Sequence, residues 1–343
     1  MATMYDVADR AGLSVGTVSR YLNDSGYVSQ SARERIGAAI AEVGYVPSSA
    51  ARSLTTKRTG LIGFVVSDLL NPFSAELAHG IADRAAQRGF CVLNSVTEGQ
   101  EDRVLQTVRV LREHSVDGLI ITPPETPRIK RQLAALARSG LPMVLIGMRL
   151  RPRLTDRVTT ATYEGARAAT DHLISLGHRR IGLITGSRRA KVAMGRYRGY
   201  RDALNIAGLP LDDALVAEVT LDRAGGSAAL QQLLTLPKPP TAAFAVNDAA
   251  ALGAIQYAAS RDIRVPSDLS MVGFDDVDLA AHSVPPLTTV AQPKRQMGAV
   301  AVDLLADRIA GTGSSTPVER RLECELVVRA STAPPKSSRG GSR

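Results

Sequence analysis

A short segment near the N-terminus combines side chains that could read the bases of a nucleic acid. Ser14 is a good N-cap for a short helix, and Val18 and Leu22 lie four residues apart on one face of it. The other face carries Gly16 and Arg20. An arginine can donate two hydrogen bonds to a guanine in the major groove, and a small residue permits a close approach. The pattern indicates a recognition helix.

Two further helices are needed to hold this helix in place. The apolar Val7 and Ala11 recur at helical spacing before Gly12, which can take the left-handed conformation that ends a helix. A third helix is predicted after the N-cap Ser29, and Gly44 marks its end. These three helices predict a helix-turn-helix. Spacing alone also fits a three-helix bundle whose polar face is merely solvated.

The residues that follow the third helix predict a short, conditional helix. Pro47 ends the third helix, and Ser48 or Ser49 can cap the next stretch. Isolated helices below about 12 residues are marginal in water, so we expect this one to form only when DNA or a partner holds it. Leu54 would then be exposed and suited to wedging into a minor-groove base step. A plain linker is the alternative.

The remainder of the chain alternates short apolar runs with helical patterns, which predicts parallel sheets flanked by helices. This pattern leaves open whether the strands form one large sheet or two smaller ones. Asn71 and Pro72 indicate a helix start just after the first strand. The predicted strands are Leu61–Val66, Gly118–Ile121, Met143–Ile146, Ile181–Ile184, Ala242–Val246 and Met271–Phe274.

Ligands of such sheets bind beyond the carboxyl ends of the strands. Arginine and aspartate there can recognise hydroxyl or carboxylate groups, and they enforce specificity because a wrong ligand leaves them unpaired. A helix-capping turn is the alternative for both Asn247-Asp248 and Asp275-Asp276. The candidates are the residues that follow predicted strands, together with Arg196 at a predicted helix start: Asn71, Phe73, Thr122, Arg196, Asn247, Asp248, Asp275 and Asp276.

The overall charge is a weak indicator of a DNA partner. The formal net charge is +9 at pH 7, yet residues 1–58 hold seven Lys and Arg against five Asp and Glu. Prediction of DNA binding therefore depends on the pattern of positions rather than on bulk charge.

The sequence lacks motifs that other protein classes require. No GxxxxGK[ST] or HExxH motif is present and the five histidines are scattered, so we predict no enzyme, metal site or cofactor. An exported solute-binding protein is disfavoured because no secretory signal is found, and no apolar stretch approaches the roughly 18 residues of a membrane span. Cys91 and Cys324 lack CxxC spacing and lie in apolar runs, so we expect buried thiols in a reducing cytoplasm.

Five short segments of the chain match a known family pattern: Tyr5-Asp-Val-Ala, Ala11-Gly-Leu-Ser, Thr17-Val-Ser-Arg, Gly44-Tyr-Val-Pro and Ala50-Ala-Arg-Ser-Leu. Through them the chain, from Thr3 to about Ser331, resembles the lactose/galactose repressor (LacI/GalR) family of bacterial transcription regulators. The resemblance implies a helix-turn-helix headpiece and a periplasmic-binding-protein-like body of two Rossmann-like lobes. It further implies a homodimer that represses by binding a near-palindromic operator in double-stranded DNA. A small effector, a sugar or related polar metabolite, would bind between the lobes and alter DNA affinity.

The same resemblance implies roles for individual residues. Base-reading positions fall on Val15, Gly16 and Arg20, and hinge contacts fall on Ala51 and the intercalating Leu54. Phosphate contacts fall on polar residues of the headpiece, namely Thr3, Tyr5, Ser14, Thr17, Ser19, Asn23 and Ser29. Effector contacts fall on Arg196, Asn247, Asp275 and Gln292.

One departure from the family pattern, Ser48 where the family usually has Asn, concerns the hinge, and two others concern the ligand. Gly147-Met148 stand where sugar-responsive relatives tend to carry Asp-Arg, and Leu221 stands where an aromatic ring often stacks on the ligand. An ordinary sugar pocket is therefore not expected. Arg188, Arg189 and Lys191 would favour an anionic effector, but a solvated loop is the simpler interpretation.

The expected domain organisation follows from these assignments. No leucine heptad follows residue 331, so a dimer is expected without a tetramerising coil. The expected parts are a helix-turn-helix (1–46), a hinge (47–59), a first lobe (60–160 and 291–318), a second lobe (161–290 and 319–331) and a disordered tail (332–343).

Overall fold

The computed structural model describes residues 2–23, 25–45, 58–187 and 191–336. The chain forms two compact units: the first comprises Met1–Leu61 with Arg112–Asp117, and the second comprises Ile62–Leu111 with Gly118–Arg343. Within the described ranges, no helix is long and apolar enough to cross a lipid bilayer.

The described part of the first unit contains three helices whose starts are each capped by a hydroxyl. The side-chain oxygens of Thr3, Ser14 and Ser29 accept backbone N–H groups of the following turns. Such a cap satisfies one of the donors left free at a helix N-terminus and stabilises the helix by about 1 kcal/mol. Left-handed glycines end the first and third helices. The helices are α1 (Met4–Ala11), α2 (Val15–Leu22) and α3 (Gln30–Val43).

A small core holds the three helices together and sets the orientation of α2. Val7 of α1, Val18 of α2 and Ile36 of α3 are all fully buried in the same cluster. Because Val18 faces this core, Gly16 and Arg20 on the other face of α2 are exposed. The predicted helix-turn-helix is thereby confirmed.

The second unit consists of two six-stranded sheets with helices between the strands. The first sheet has the order β11-β5-β4-β3-β1-β2, with β1 (Leu61–Val66), β2 (Cys91–Val96), β3 (Gly118–Ile121), β4 (Met143–Ile146), β5 (Asp156–Thr160) and β11 (Glu319–Leu322). The second has the order β12-β10-β9-β8-β6-β7, with β6 (Ile181–Thr185), β7 (Val216–Glu218), β8 (Ala242–Ala245), β9 (Ser270–Asp275), β10 (Thr288–Ala291) and β12 (Glu325–Val327). Two sheets, rather than one, are therefore formed.

Helices connect the strands and cover the sheets. The buried apolar faces of these helices pack against the first sheet and against the second sheet. The helices are α4 (Pro72–Gln87), α5 (Glu101–Glu113), α6 (Pro127–Arg138), α7 (Thr162–Ser175), α8 (Lys191–Ile206), α9 (Arg223–Leu234), α10 (Asp248–Ala259), α11 (Asp278–His282) and α12 (Lys294–Ala310), with a 3₁₀ turn at Asp213–Leu215.

The position of residues 319–322 differs from the prediction. Residues 319–322 were expected in the second lobe, but β11 pairs in parallel with β5 of the first sheet. The chain reaches the second sheet only with β12, which pairs antiparallel with β10. β11 is short and half-exposed. Its sequence contains no apolar run from which the strand could have been predicted.

Two other expectations are wrong in part. Cys91 is exposed, since it begins β2 at the edge of the first sheet, while Cys324 is partly buried.

The beginning of the predicted disordered tail, residues 332–336, is described and is held by hydrogen bonds. The Thr332 hydroxyl lies 3.0 Å from Nε2 of His172, and the carbonyl oxygen of Ala333 lies 2.9 Å from Nε2 of His178. Residues 337–343 lie outside the described residues.

Candidate functional site

The predicted DNA-binding residues that are described lie on the surface of the first unit. Their side chains are exposed at Thr3, Tyr5, Ser14, Arg20, Asn23 and Ser29, as is Gly16, while Val15, Thr17 and Ser19 are partly exposed. Ala51 and Leu54 lie outside the described residues.

The start of α2 is suited to a phosphate. Ser14 caps the helix, and its Oγ lies 2.9 Å from the Oγ1 of Thr17, so two hydroxyls adjoin the N-terminus of the helix. The positive end of the helix dipole favours an anion at such a place. Arg20 extends from the same helix, and among the described residues its only acceptor is the carbonyl oxygen of Gly16, which lies 3.2 Å from Nε, so its terminal nitrogens can reach another acceptor. The arrangement can place phosphate and base contacts on one helix.

One cavity of about 360 Å³ in the second unit is lined by eight of the residues that the sequence analysis considered for the effector site, while Asp248 and Asp276 are not part of its lining. The residues come from far-apart segments of the chain and from both sheets, which is the convergence that the strand-end rule predicts. They are Asn71, Phe73, Thr122, Arg196, Leu221, Asn247, Asp275 and Gln292.

The polar centre of this cavity is formed by Arg196 and Asp275. Arg196 lies in the second turn of α8 rather than at its start, and the terminal NH2 nitrogen of its guanidinium is 3.4 Å from Oδ1 of Asp275. The guanidinium also stacks 3.9 Å from the ring centroid of Phe274. Both charged side chains are 8% exposed. Burial therefore lowers the pKa of Arg196 and raises the pKa of Asp275, while their mutual attraction opposes both shifts.

Gln292 links this pair to the first sheet. Its Nε2 donates to Oδ1 of Asp275 at 2.7 Å, and its Oε1 accepts from the hydroxyl of Thr160, at the end of β5, at 2.6 Å. Asp275 has a backbone φ of 117°, a conformation that residues other than glycine rarely adopt. Strained residues of this kind persist where the surroundings hold them, and they are frequent at functional sites.

Asn247 both lines the cavity and caps a helix. Its Oδ1 accepts the N–H of Ala250 at the start of α10, and its Nδ2 donates to the carbonyl oxygen of Leu221 at 2.9 Å. Asn247 therefore caps a helix, as the alternative interpretation predicted, and lines the cavity as well. Asp248, in contrast, is fully buried behind the cavity, where it accepts from the N–H of Val277 and the hydroxyl of Thr289.

The sequence analysis missed several residues that line the cavity. Applying the strand-end rule to β5 would have identified Thr159 and Thr160, but β5 was not among the predicted strands. Arg157 reaches the cavity from the same strand, donating to the carbonyl oxygen of Gly147 at 2.9 Å from Nε. Its place could not be inferred from spacing. The other missed lining residues are Pro123, Glu125, Ile146, Thr162 and Met297.

The buried carboxyl of Asp248 predicts a measurable effect of pH on stability. Burial, with a smaller contribution from Asp275, raises the pKa of Asp248 to about 7 from an ordinary 3.8. The folded state therefore binds this proton more tightly than the unfolded state does. The contribution of this proton to the free energy of unfolding is fully present below pH ~4. It falls by on the order of 2–4 kcal/mol as the pH rises through ~7.

An Asp248→Asn variant is expected to lose this pH dependence. The amide can accept from Val277 and donate to the Thr289 hydroxyl, so the packing is kept. Urea unfolding between pH 4.5 and 8 measures the effect as a flatter pH profile of the unfolding free energy than in the parent. Asp278→Asn, at a side chain that is 91% exposed, is the control. Parallel profiles for Asp248→Asn and the parent would contradict the shift.

The residues that the structure describes contain no group of histidine, cysteine and carboxylate side chains that could hold a metal ion. The cavity lining offers hydrogen-bonding groups, apolar side chains and the Arg196–Asp275 pair. Arg188 and Arg189, predicted in the loop before α8, lie outside the described residues, as does the side chain of Lys191.

Two protein-family models match the chain. The model of bacterial regulatory proteins of the lacI family matches residues 3–48, and a periplasmic binding protein-like domain matches residues 170–332. The ribose operon repressor of Escherichia coli K12 is 37% identical over 309 residues, covering 90% of this chain and 93% of that protein.

Solved structures agree with these matches. A lac repressor dimer bound to operator and the anti-inducer ONPF is 30% identical with a TM-score of 0.85, covering 97% of this chain and 99% of that one. A LacI-family transcriptional regulator from Enterococcus faecium with bound ribose is 29% identical with a TM-score of 0.73, covering 80% and 100%. This chain belongs to the LacI family of bacterial transcriptional regulators.

Proposed function

We propose that this protein is a repressor whose affinity for operator DNA is set by a small polar effector. The convergence of eight candidate effector residues on one cavity, in a chain that also exposes Arg20 on α2, is the observation that carries the proposal. We assign it no enzymatic activity and a cytoplasmic location, as is usual for proteins that bind chromosomal operators.

The headpiece would act as part of a homodimer. Two copies of α2 would enter successive major grooves of a near-palindromic operator. Val15, Gly16 and Arg20 would face the bases, and the polar residues Thr3, Tyr5, Ser14, Thr17, Ser19, Asn23 and Ser29 would contact phosphates. The hinge proposal, with Ala51 and Leu54 at the minor groove, follows from the sequence alone. The operator-bound dimer of the related lac repressor supports this arrangement.

The cavity favours an uncharged, hydroxylated effector. Each charged side chain that lines it has an opposite partner: Arg196 pairs with Asp275, Arg157 with Glu319, and Glu125 with Lys130. A charged ligand would have to disrupt one of these pairs. Asn71, Asn247 and Gln292 add amide groups for hydroxyls, while apolar side chains such as Phe73, Met148, Leu221 and Met297 supply faces for a sugar ring.

Ribose is the first ligand to test, because the relatives include a ribose operon repressor and a ribose-bound regulator. Leu221 and Gly147-Met148, which depart from the usual sugar-binding pattern, lie in the cavity lining. They are therefore placed to alter which sugar is preferred. The change of DNA affinity would follow from a shift between two lobe arrangements.

The proposal is tested with the full-length protein. Binding sites are selected from random double-stranded DNA, and the affinity for the selected duplex is then measured by fluorescence anisotropy with and without D-ribose and other pentoses and hexoses. We expect a near-palindromic site and an effector that changes the Kd by about 5- to 150-fold. Failure to select any sequence would refute DNA reading, and a Kd unchanged by all the sugars would refute the effector class.

A further inference from the structure

A second cavity, of about 320 Å³, is lined almost entirely by cationic side chains. It lies between α6 and the loop that follows β4, and we refer to it as the basic cavity. No carboxylate is among its described lining residues. The lining is Lys130, Arg131, Ala134, Arg138, Arg149, Leu150 and Arg151.

The helix contributes one continuous face to this cavity. Lys130, Ala134 and Arg138 lie four residues apart and so share a face of α6, with Arg131 beside them. The opposite face is fixed in the protein core by Ile129, which is fully buried. Ala134 has a short side chain between two long ones, which leaves the space between Lys130 and Arg138 open.

The loop contributes the facing wall. Leu150 is buried, with 4% exposure, and it anchors the loop so that Arg149 and Arg151 on either side of it reach the basic cavity. Arg149 donates to Oε2 of Glu319 at 2.5 Å, and Lys130 lies 3.2 Å from Oε2 of Glu125. These two cations are therefore partly neutralised from outside the lining.

The positive charge of the basic cavity is not balanced within the part of the chain that the structure describes. Arg131, Arg138 and Arg151 form no ion pair or hydrogen bond with described residues. The carboxylate of Glu319 is shared among Arg149, Arg157 and Arg153. Like charges held around one concave site repel, and a bound anion relieves that repulsion.

Helix stabilisation explains only one of these side chains. Arg138 lies in the last turn of α6, where a cation interacts favourably with the helix dipole. Arg131 is in the middle of the helix and Arg151 is in a loop, so neither gains from that effect. The Nε atom of Arg149 is in addition buried without a hydrogen-bond acceptor among the described residues.

We propose that the basic cavity binds a small anion with several negative charges, such as a compound that carries two phosphate groups. Guanidinium groups donate paired hydrogen bonds to phosphate oxygens, which suits a lining dominated by arginine. The cavity has the volume of a small-molecule site, and its concave shape suits a compact ligand better than a DNA backbone. This site is separate from the effector cavity, whose charges are paired.

Inorganic pyrophosphate is the probe, titrated calorimetrically into the full-length protein at constant ionic strength. We expect saturable binding at one site per chain and at least tenfold weaker binding of pyrophosphate to an Arg131→Gln/Arg151→Gln double variant. Both side chains are exposed, so the variant should fold normally. A matched double variant, Arg109→Gln/Arg198→Gln, removes the same charge from exposed positions outside this cavity and should bind within twofold of the parent.

Three results would overturn the proposal. Equal weakening in the two double variants would show that pyrophosphate responds only to overall charge. Unchanged affinity in Arg131→Gln/Arg151→Gln would place the anion elsewhere on the chain, for example on the DNA-binding headpiece, and an absence of saturable binding to the parent protein would remove the site altogether.

Discussion

An Arg20→Ala variant is expected to lose its preference for the base pair that Arg20 contacts, with operator affinity falling about 10- to 100-fold. The side chain is exposed on the outward face of α2, and its only described hydrogen bond is with the carbonyl oxygen of Gly16. A bidentate arginine contact discriminates against the wrong base by about 1–3 kcal/mol. Because the headpiece core does not involve this side chain, its stability should be unchanged.

The matched control is Asn23→Ala, which removes a predicted phosphate contact from the end of the same helix. Loss of a phosphate contact weakens binding evenly across sequences, whereas loss of a base contact relaxes the preference at one position. Competition gel shifts with single-base operator variants separate the two effects. If the Arg20→Ala protein keeps the full preference at every operator position, α2 does not read bases through this residue.

The headpiece could be predicted closely from the sequence because local signals determine it. Ser14 and Ser29 cap helices, and Gly12 and Gly44 take φ values of 60° and 63° at helix ends. These interactions join residues only a few positions apart, so their pattern is visible along the chain. The hinge around Leu54 lies outside the described residues, and the short helix expected there stays a prediction.

The effector cavity was predictable only where it follows the strand-end rule. Asn71, Thr122 and Asp275 each follow or end an apolar strand, so the topology of parallel sheets brings them together. Arg157 lies within β5, a strand of alternating burial with little apolar sequence, and reaches the cavity because Glu319 and the Gly147 carbonyl orient it. Such tertiary orientation has no signature in residue spacing.

The same limit explains the misplacement of residues 319–322. β11 has the sequence Glu-Arg-Arg-Leu, which neither alternates apolar residues nor forms a buried run. It joins the first sheet through backbone pairing with β5 and through Glu319, which pairs with Arg157 of that strand. Backbone pairing and an ion pair between distant segments therefore place β11 in the first sheet, and the hydrophobic pattern of the sequence does not indicate either of them.

An Asp275→Asn variant is expected to bind its sugar about 10- to 100-fold more weakly than the parent and to lose most of its effector-dependent change in operator affinity. Asp275 accepts from Gln292 at 2.7 Å and faces Arg196 at 3.4 Å in a buried centre. Hydrogen bonds to charged groups contribute about 1.5–3 kcal/mol. The amide keeps the shape, and the Val246 carbonyl oxygen and the Phe274 ring still hold the guanidinium of Arg196, but Arg196 loses its charged acceptor beside the ligand.

Asp276→Asn is the matched control, since it makes the same chemical change at the next residue. Asp276 does not line the cavity; its Oδ1 pairs with Arg329 at 2.7 Å. Calorimetry with the sugar that most changes DNA affinity in the parent should therefore give near-parental binding for Asp276→Asn. Operator binding without effector should be unchanged in both variants, because neither residue belongs to the headpiece. If the two variants bind the sugar equally well, the Arg196–Asp275 pair is structural, and ligand recognition must depend on the amides and on Arg157 instead.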